Sequence, residues 1–376
     1  MDLKQDYLLK ITTSMPTQAS PGAGLVCLRP SIGSKIKTVI CTPAQGDINH
    51  KHFDKNMSFV RFNASKLNIK ALSKLNKRLN QIIDNILLFY TCITNFKDHK
   101  PKLIICYGVL NFLGSYFFSR FLSTKLILSL HNSTDIEKIK KFPFLKKLVI
   151  KCDGVWVCSY ELSNQVKHEF GIEPFYRPTG FDPEEFYPLN DSNRHSKMKL
   201  ISVGSFKWKK NFKTLISAFK LLSDKLPDLT LSLIGGGELE SDLRQQAVEL
   251  NISKKVKFLG VLSQDKIANE LNNSSLFVLP SLAEGRPKVV AEALATGLPC
   301  IVSDACSCND IVKNAGISIK EVSPQTIFDA VMQIMNNPAS WEDLSRNAQL
   351  NIKSSSWKEI SYLEQQHINN IISKNI

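Results

Sequence analysis

Two glutamates, Glu284 and Glu292, stand eight positions apart in the stretch EGRPKVVAE, inside an otherwise apolar region. A carboxylate accepts hydrogen bonds from sugar hydroxyls and repels phosphate. Between the pair lie Gly285 and Pro287. Proline suits a helix's first position and biases Arg286 away from helical geometry. The pattern therefore predicts a helix from about residue 287 to Gly297, with Pro299 just beyond. Its buried stripe is Val289, Val290, Ala293 and Leu294. Glu284 then lies in the preceding loop, and Glu292 about one turn inside the helix. The free N–H groups of Lys288 and Val289 suit a phosphate. Two sugar acceptors flanking an anion cradle describe a ligand with a diphosphate in the middle and a sugar at each end, a nucleotide-sugar. Spacing alone leaves the bland alternative open, a surface glutamate pair.

A second constellation is VGSFKWKKN, which follows a predicted strand and carries Ser205, Lys207, Lys209 and Lys210. A lysine in a strand-to-helix loop is placed to pair with phosphate, although most lysine-rich loops are simply solvated. IGGGE (234–238) and PGAG, with Gly22 and Gly24, are further strand-end turns where glycine permits close backbone approach. His131 ends another strand; a lone histidine there is more often structural.

The elements that must position these residues follow from periodicity. In the second half KLISVGS, LTLSLIG, KVKFLG, LFVLP and PCIVSD read as strands. Helices alternate with them, one capped by Asn211 with Phe212, Leu215, Ile216, Phe219 and Leu222 at helical spacing. The alternation implies a parallel, doubly wound sheet, whose ligands bind at the carboxyl ends of its strands. In the first half YLLKITT, KTVICTP, KLIICYG, KLILSLH and GVWVCS read as strands, with helices over 66–95, 111–122 and 160–170. The polar stretch 181–199 reads as a linker. The expected domains are 1–183 and 184–356, with an amphipathic helix over 357–376 packing back on the first.

These residues resemble the GT-B glycosyltransferases of the large retaining family four, over about residues 7–370. The specific part is Glu284-x7-Glu292 followed by EALATGLPCIVSD. VGSFKWKKN, LIGGGELESDLR, GVWVCSYELSNQV and RPTGFDPEEFYP resemble further family motifs. The resemblance implies two Rossmann-like domains facing each other across a cleft. It implies that Glu292 accepts the ribose hydroxyls and that Lys210 pairs with the diphosphate. Glu284, with the backbone of Gly285, Arg286 and Lys288, would hold the donor sugar. Gly24 would offer its N–H to the β-phosphate, His131 would lie beside the reacting sugar, and Val261 and Leu262 beside the base. Ser205 stands where the family usually has a phosphate-binding arginine, so Lys207, Lys209 or Arg286 is expected to supply that charge. The implied activity is retaining, metal-independent transfer from a UDP- or GDP-linked sugar to a saccharide or lipid-linked saccharide, in assembly of a bacterial surface polysaccharide such as lipopolysaccharide. No cofactor or metal is expected. No Asp-x-Asp occurs, and the nine cysteines and the pair His50 and His52 show no metal-ligand spacing. Lysines and the helix dipole would stabilise the leaving diphosphate in place of an ion.

Bulk properties narrow the alternatives. The 376 residues carry a net charge of +14, and 43% are hydrophobic. Residues 1–190 hold 26 Lys+Arg against 15 Asp+Glu, and the remainder 22 against 19. The uncharged run 103–119 falls short of a membrane span and reads as a strand and a helix. The stretch 136–152 mixes lysines with Phe142, Phe144 and Leu145, which suits either an anionic membrane surface or a solvated helix. The expected location is cytoplasmic, peripheral on the membrane's inner face. A nucleic-acid partner is excluded by the lack of a recognition motif. Two rivals remain, a nucleotide-sugar epimerase on the same plan and a non-catalytic nucleotide-sugar-binding protein.

Overall fold

The structure, a computed structural model, describes residues 6–12, 27, 29, 36–43, 55–62, 77–189 and 193–373, with backbone alone for 43, 62, 77–80 and 338. The chain forms two compact units, Met1–Pro178 with Lys358–Ile376, and Thr179–Trp357.

The first unit is built on strands β1 (Tyr7–Ile11), β2 (Lys37–Pro43), β3 (Met57–Phe62), β4 (Leu103–Tyr107), β5 (Lys125–Leu130), β6 (Gly154–Val157) and β7 (Phe175–Tyr176). Their order in the sheet is β3-β2-β1-β4-β5-β6-β7, and every pairing is parallel. Helices α1 (Lys77–Phe96), α2 (Phe112–Phe121), α3 (Ser133–Lys140), α4 (Pro143–Ile150) and α5 (Tyr160–Phe170) connect the strands. Buried runs such as LIICY in β4 reflect a sheet covered on both faces.

The second unit has strands β8 (Lys199–Val203), β9 (Thr230–Ile234), β10 (Val256–Gly260), β11 (Leu276–Leu279), β12 (Cys300–Ser303) and β13 (Gly316–Ile319), in the order β10-β9-β8-β11-β12-β13. Its helices are α6 (Phe212–Lys225), α7 (Glu240–Glu249), α8 (Gln264–Asn272), α9 (Lys288–Ala295), α10 (Asn309–Val312), α11 (Pro324–Met335) and α12 (Pro338–Ile352). The last helix, α13 (Trp357–Ser373), runs into the first unit, where Ile368 and Ile371 join the core of β1, β4 and β6. In both sheets the order reverses beside the first strand, at β1/β4 and at β8/β11. That is the switch point where doubly wound sheets open a crevice.

Some local expectations need correcting. β3, β7 and β13 carried no clear strand signal. Residues 136–152 are not one helix, because Phe142 is extended (φ −129°, ψ 96°) ahead of Pro143 at the start of α4. The cause is the clash between a proline ring and a helical predecessor. Asn211 precedes α6 but does not cap it. It is left-handed (φ 55°, ψ 36°), and its side chain accepts from the Thr214 hydroxyl at 2.7 Å instead of from a backbone N–H.

Candidate functional site

Three loops at the carboxyl ends of β8, β11 and β12 are tied together by backbone hydrogen bonds. The N–H of Leu282 donates to Lys209 O at 2.7 Å, and that of Glu284 donates to Ala305 O at 2.8 Å. In the loop after β8, Phe206 is fully buried, with its ring 5.2 Å from Phe212 and 6.1 Å from Phe258. That anchor leaves Ser205, Lys207, Trp208 and Lys209 exposed and turns Lys210 inward.

Glycine makes the loop's geometry possible. The turn after β9 packs against the turn after β8, so a Cβ on Gly235 (φ +140°) would sit 1.9 Å from Gly204 O. A Cβ on Gly204 would meet the stem of Lys210 at 3.2 Å. Gly235→Ala is therefore expected to destabilise the protein by at least about 1–3 kcal/mol and to shift the lysine loop. Thermal melting of the variant checks the first effect, and its affinity for nucleotide checks the second.

Lys210 Nζ reaches Glu284 Oε1 at 2.8 Å, with both side chains largely covered. Glu284 therefore has a cation beside it, as a loop carboxylate above a crevice would need. Glu292 is the more unusual group. Helix α9 is apolar on nearly all sides, and its buried residues run from Val290 to Ala295. Glu292 among them is 1% exposed. Its Oε1 is paired with Lys288 Nζ, one turn earlier, and its Oε2 is buried with no hydrogen-bond partner. A buried carboxylate oxygen without a donor is costly, so it is kept where a donor arrives with a ligand. The Lys288 ammonium also donates to Gln264 Oε1 at 2.9 Å and lies 5.9 Å from the Phe186 ring.

No side chain caps α9, whose first turn follows Pro287 (φ −67°, ψ 124°). The N–H groups of Lys288 and Val289 remain at its amino end. Behind it, the buried guanidinium of Arg194 donates to the carbonyls of Leu271 (2.6 Å), Ser274 (3.1 Å) and Thr296. A cation at the carboxyl ends of α8 and α9 complements both dipoles and fixes the helix from its far end.

The remaining expected site residues divide. Val261 is half exposed, and its Cγ2 lies 3.5 Å from the Cβ position of Gly236. Leu262 packs on the core beneath α9. Gly285 is buried. Arg286 was one candidate for the charge missing at Ser205. Its side chain is 1% exposed and its Nη1 pairs with Asp310 Oδ2 at 2.6 Å, a contact that holds the loop to α10. Lys207 and Lys209 remain exposed near the loop's tip. Gly24 lies outside the described residues, as do His50 and His52. His131, in the first unit, follows β5 with Nε2 3.1 Å from Ser129 Oγ and its ring stacked on Tyr107 at 5.6 Å. Burial, reinforced by the charge of Arg177, pushes its pKa down to about 3, so the imidazole is neutral. Gln264, Phe186 and Asp310 had no sequence signal. They matter through tertiary contacts with residues 286 and 288, which no local spacing reveals.

Residues 189–351 match the family described as glycosyl transferases group 1. The UDP-Gal:alpha-D-GlcNAc-diphosphoundecaprenol alpha-1,3-galactosyltransferase of Escherichia coli is 31% identical over 189 residues, 46% of this chain and 48% of its own. The amylovoran biosynthesis glycosyltransferase AmsK of Erwinia amylovora is 24% identical over 197 residues, 50% of this chain and 48% of its own. The chain thus spans about half the length of these curated relatives. Among solved structures, sucrose-phosphate synthase from Thermosynechococcus elongatus aligns with a TM-score of 0.80 at 17% identity, over 98% of this chain and all of that one. Anabaena HepE, in complex with UDP and glucose, aligns with a TM-score of 0.77 at 16% identity, over 98% of this chain and all of that one. These likenesses identify the fold, two Rossmann-like halves of the GT-B type.

Proposed function

From the glycosyl transferases group 1 segment at 189–351, we propose that the chain is a retaining, metal-independent glycosyltransferase that moves a hexose from a UDP-sugar to a lipid-linked saccharide in surface-polysaccharide assembly. The observation that carries this reading is the orphaned, buried Oε2 of Glu292 beside the uncapped amino end of α9. The name of the Escherichia coli relative supports a UDP-sugar donor and a polyprenyl-diphosphate-linked acceptor.

In this mechanism Glu292 accepts the ribose hydroxyls, and the diphosphate settles on the N–H groups of Lys288 and Val289. Lys210 and Lys288 leave their carboxylates for phosphate oxygens as the donor enters. Glu284, released from Lys210, accepts from the hydroxyls of the donor sugar. As the glycosidic bond breaks, negative charge grows on the departing diphosphate. The lysines and the helix's amino end stabilise it there more than in the ground state. The acceptor hydroxyl attacks on the leaving-group side, and its proton passes to the departing phosphate.

The test is thermal melting against UDP-, GDP- and ADP-sugars. A ligand at a hundred times its Kd adds about 2.7 kcal/mol. UDP-hexoses are expected to raise Tm by several degrees and Glu292→Ala to cut that shift to about half or less. A flat response to every nucleotide-sugar would overturn the assignment.

A further inference from the structure

The first unit leaves large apolar side chains in solvent, and they gather on neighbouring helices. Ile82, Ile86 and Tyr90 of α1 repeat every four residues, so they share one helical face, and they are 55%, 61% and 65% exposed. Phe117 and Phe121 of α2, again four apart, are 56% and 59% exposed. The two helices are tightly joined. Asn85 donates to Leu110 O and accepts from the Gly114 N–H, both at 2.8 Å. A Cβ on Gly114 would lie 2.6 Å from Asn85 O, so glycine permits the approach. Across the joint, the rings of Phe89 and Phe121 meet edge to face at 6.3 Å. Arg120, beside Phe121, donates to Lys151 O at 3.0 Å and brings the end of α4 alongside. There Ile150 is 48% exposed, while Phe142 and Phe144, rings 6.1 Å apart, are 45% and 52% exposed.

Charge says what covers this surface. Lys138 and Lys140 of α3 are paired with Asp135, Glu137 and Glu169. Lys141, Lys146, Lys147 and Lys151, around α4, are exposed and have no carboxylate within 4.0 Å among the described residues. A second copy of the chain is a poor fit, since a two-fold contact would set this basic surface against itself. Exposed apolar side chains with the α4 lysines alongside match the boundary between acyl chains and anionic headgroups.

We propose that the α1–α2–α4 face docks on an anionic phospholipid bilayer, with the α1 and α2 side chains entering the headgroup boundary and the α4 lysines on the phosphates. No described helix is long and apolar enough to cross a membrane, so the contact is peripheral. The face does not depend on the sugar-transfer reading, although it would bring a lipid-linked acceptor to the first unit.

The test is flotation of the full chain with phosphatidylcholine vesicles, with and without 30 mol% phosphatidylglycerol. Wild type should float only with the anionic vesicles, and less as salt rises. Ile86→Asp/Phe121→Asp should lower partitioning more than tenfold at every salt concentration. Lys146→Glu/Lys147→Glu should lower it at least tenfold, at about fivefold or more per lysine, at low salt only. All four positions are exposed, so both variants should melt like wild type and keep any UDP-sugar shift, which separates this surface from the donor site. Wild type that ignores anionic vesicles, or variants that float like wild type, would overturn the proposal. So would a wild-type dimer in light scattering that Ile86→Asp/Phe121→Asp converts to monomer.

Discussion

Replacing Glu364 with alanine is expected to cost about 3–5 kcal/mol of folding stability, a large share of the ~5–15 kcal/mol of a typical domain. Glu364 sits on α13, 3% exposed, and joins Lys10 Nζ and Arg177 Nε, each at 2.7 Å. Both cations are as deeply buried as the carboxylate, Lys10 on β1 and Arg177 just after β7. Removing the carboxylate leaves two buried cations without their shared counter-ion, beside the rings of Tyr107 and Trp156 and the Cys27 carbonyl. The last helix should then lose its hold on the first sheet. Lys10→Met, which leaves the Arg177–Glu364 pair intact, should cost far less. Urea unfolding of the two variants decides the matter, and a Glu364→Ala protein within 1 kcal/mol of wild type would contradict it. Acid should act on the same centre. Burial raises the pKa of Glu364, but Lys10 and Arg177 together outweigh it and hold the group below its ordinary value. Its contribution is thus complete above pH ~4.5 and lost as pH falls through the lower folded value. His131 acts earlier. Its folded pKa of about 3 lies below the ordinary 6.5, so the unfolded chain takes up the proton first and stability declines as pH drops below ~6.5. His131→Gln should flatten that upper limb and leave the lower one.

The second unit was legible because its strands and helices alternate with clean periods and its candidate site residues lie close in sequence. Pro287, Gly297 and the apolar run between them place α9 to within a residue or so. The first unit was harder. β3 (MSFVRF) alternates weakly, and β7 is two residues long, paired to β6 by register more than by composition. Residues 136–152 read as one segment because lysines and apolar side chains are mixed there, yet a single proline divides it. The ion-pair partners were invisible in sequence. Arg286 finds Asp310 twenty-four residues on, and Lys10 finds Glu364 at the opposite end of the chain. Such pairs follow from the topology that brings distant segments together, which no local period encodes. The exposed faces of α1 and α2 were hidden for a related reason. Ile86 and Phe121 look like core residues until the packing shows which helix face is covered.

Lys210→Ala and Glu292→Ala should both cripple sugar transfer, and in different ways. Lys210 already lies at a carboxylate that it must exchange for phosphate, so its charge counts most when the leaving diphosphate gains charge. Its loss is expected to cut kcat by about 10²–10³-fold, with a smaller change in donor affinity. Lys210→Arg should restore part of the rate, because charge is kept while the geometry changes. In the proposed mechanism Glu292 grips the ribose throughout the reaction and contributes equally before and at the transition state. Removing it forfeits hydrogen bonds to a charged group, about 1.5–3 kcal/mol, which corresponds to a donor Kd raised by roughly ten- to hundredfold. It also strips Lys288 of its buried counter-ion. The kinetic split follows from the proposed roles, one group at the leaving diphosphate and the other at the ribose end. Steady-state kinetics at saturating acceptor, with calorimetric donor titration, measure both halves. Should Lys210→Ala keep a wild-type kcat, the charge on the departing diphosphate must be met by another cation, for which the exposed Lys207 and Lys209 of the same loop are the next to be replaced.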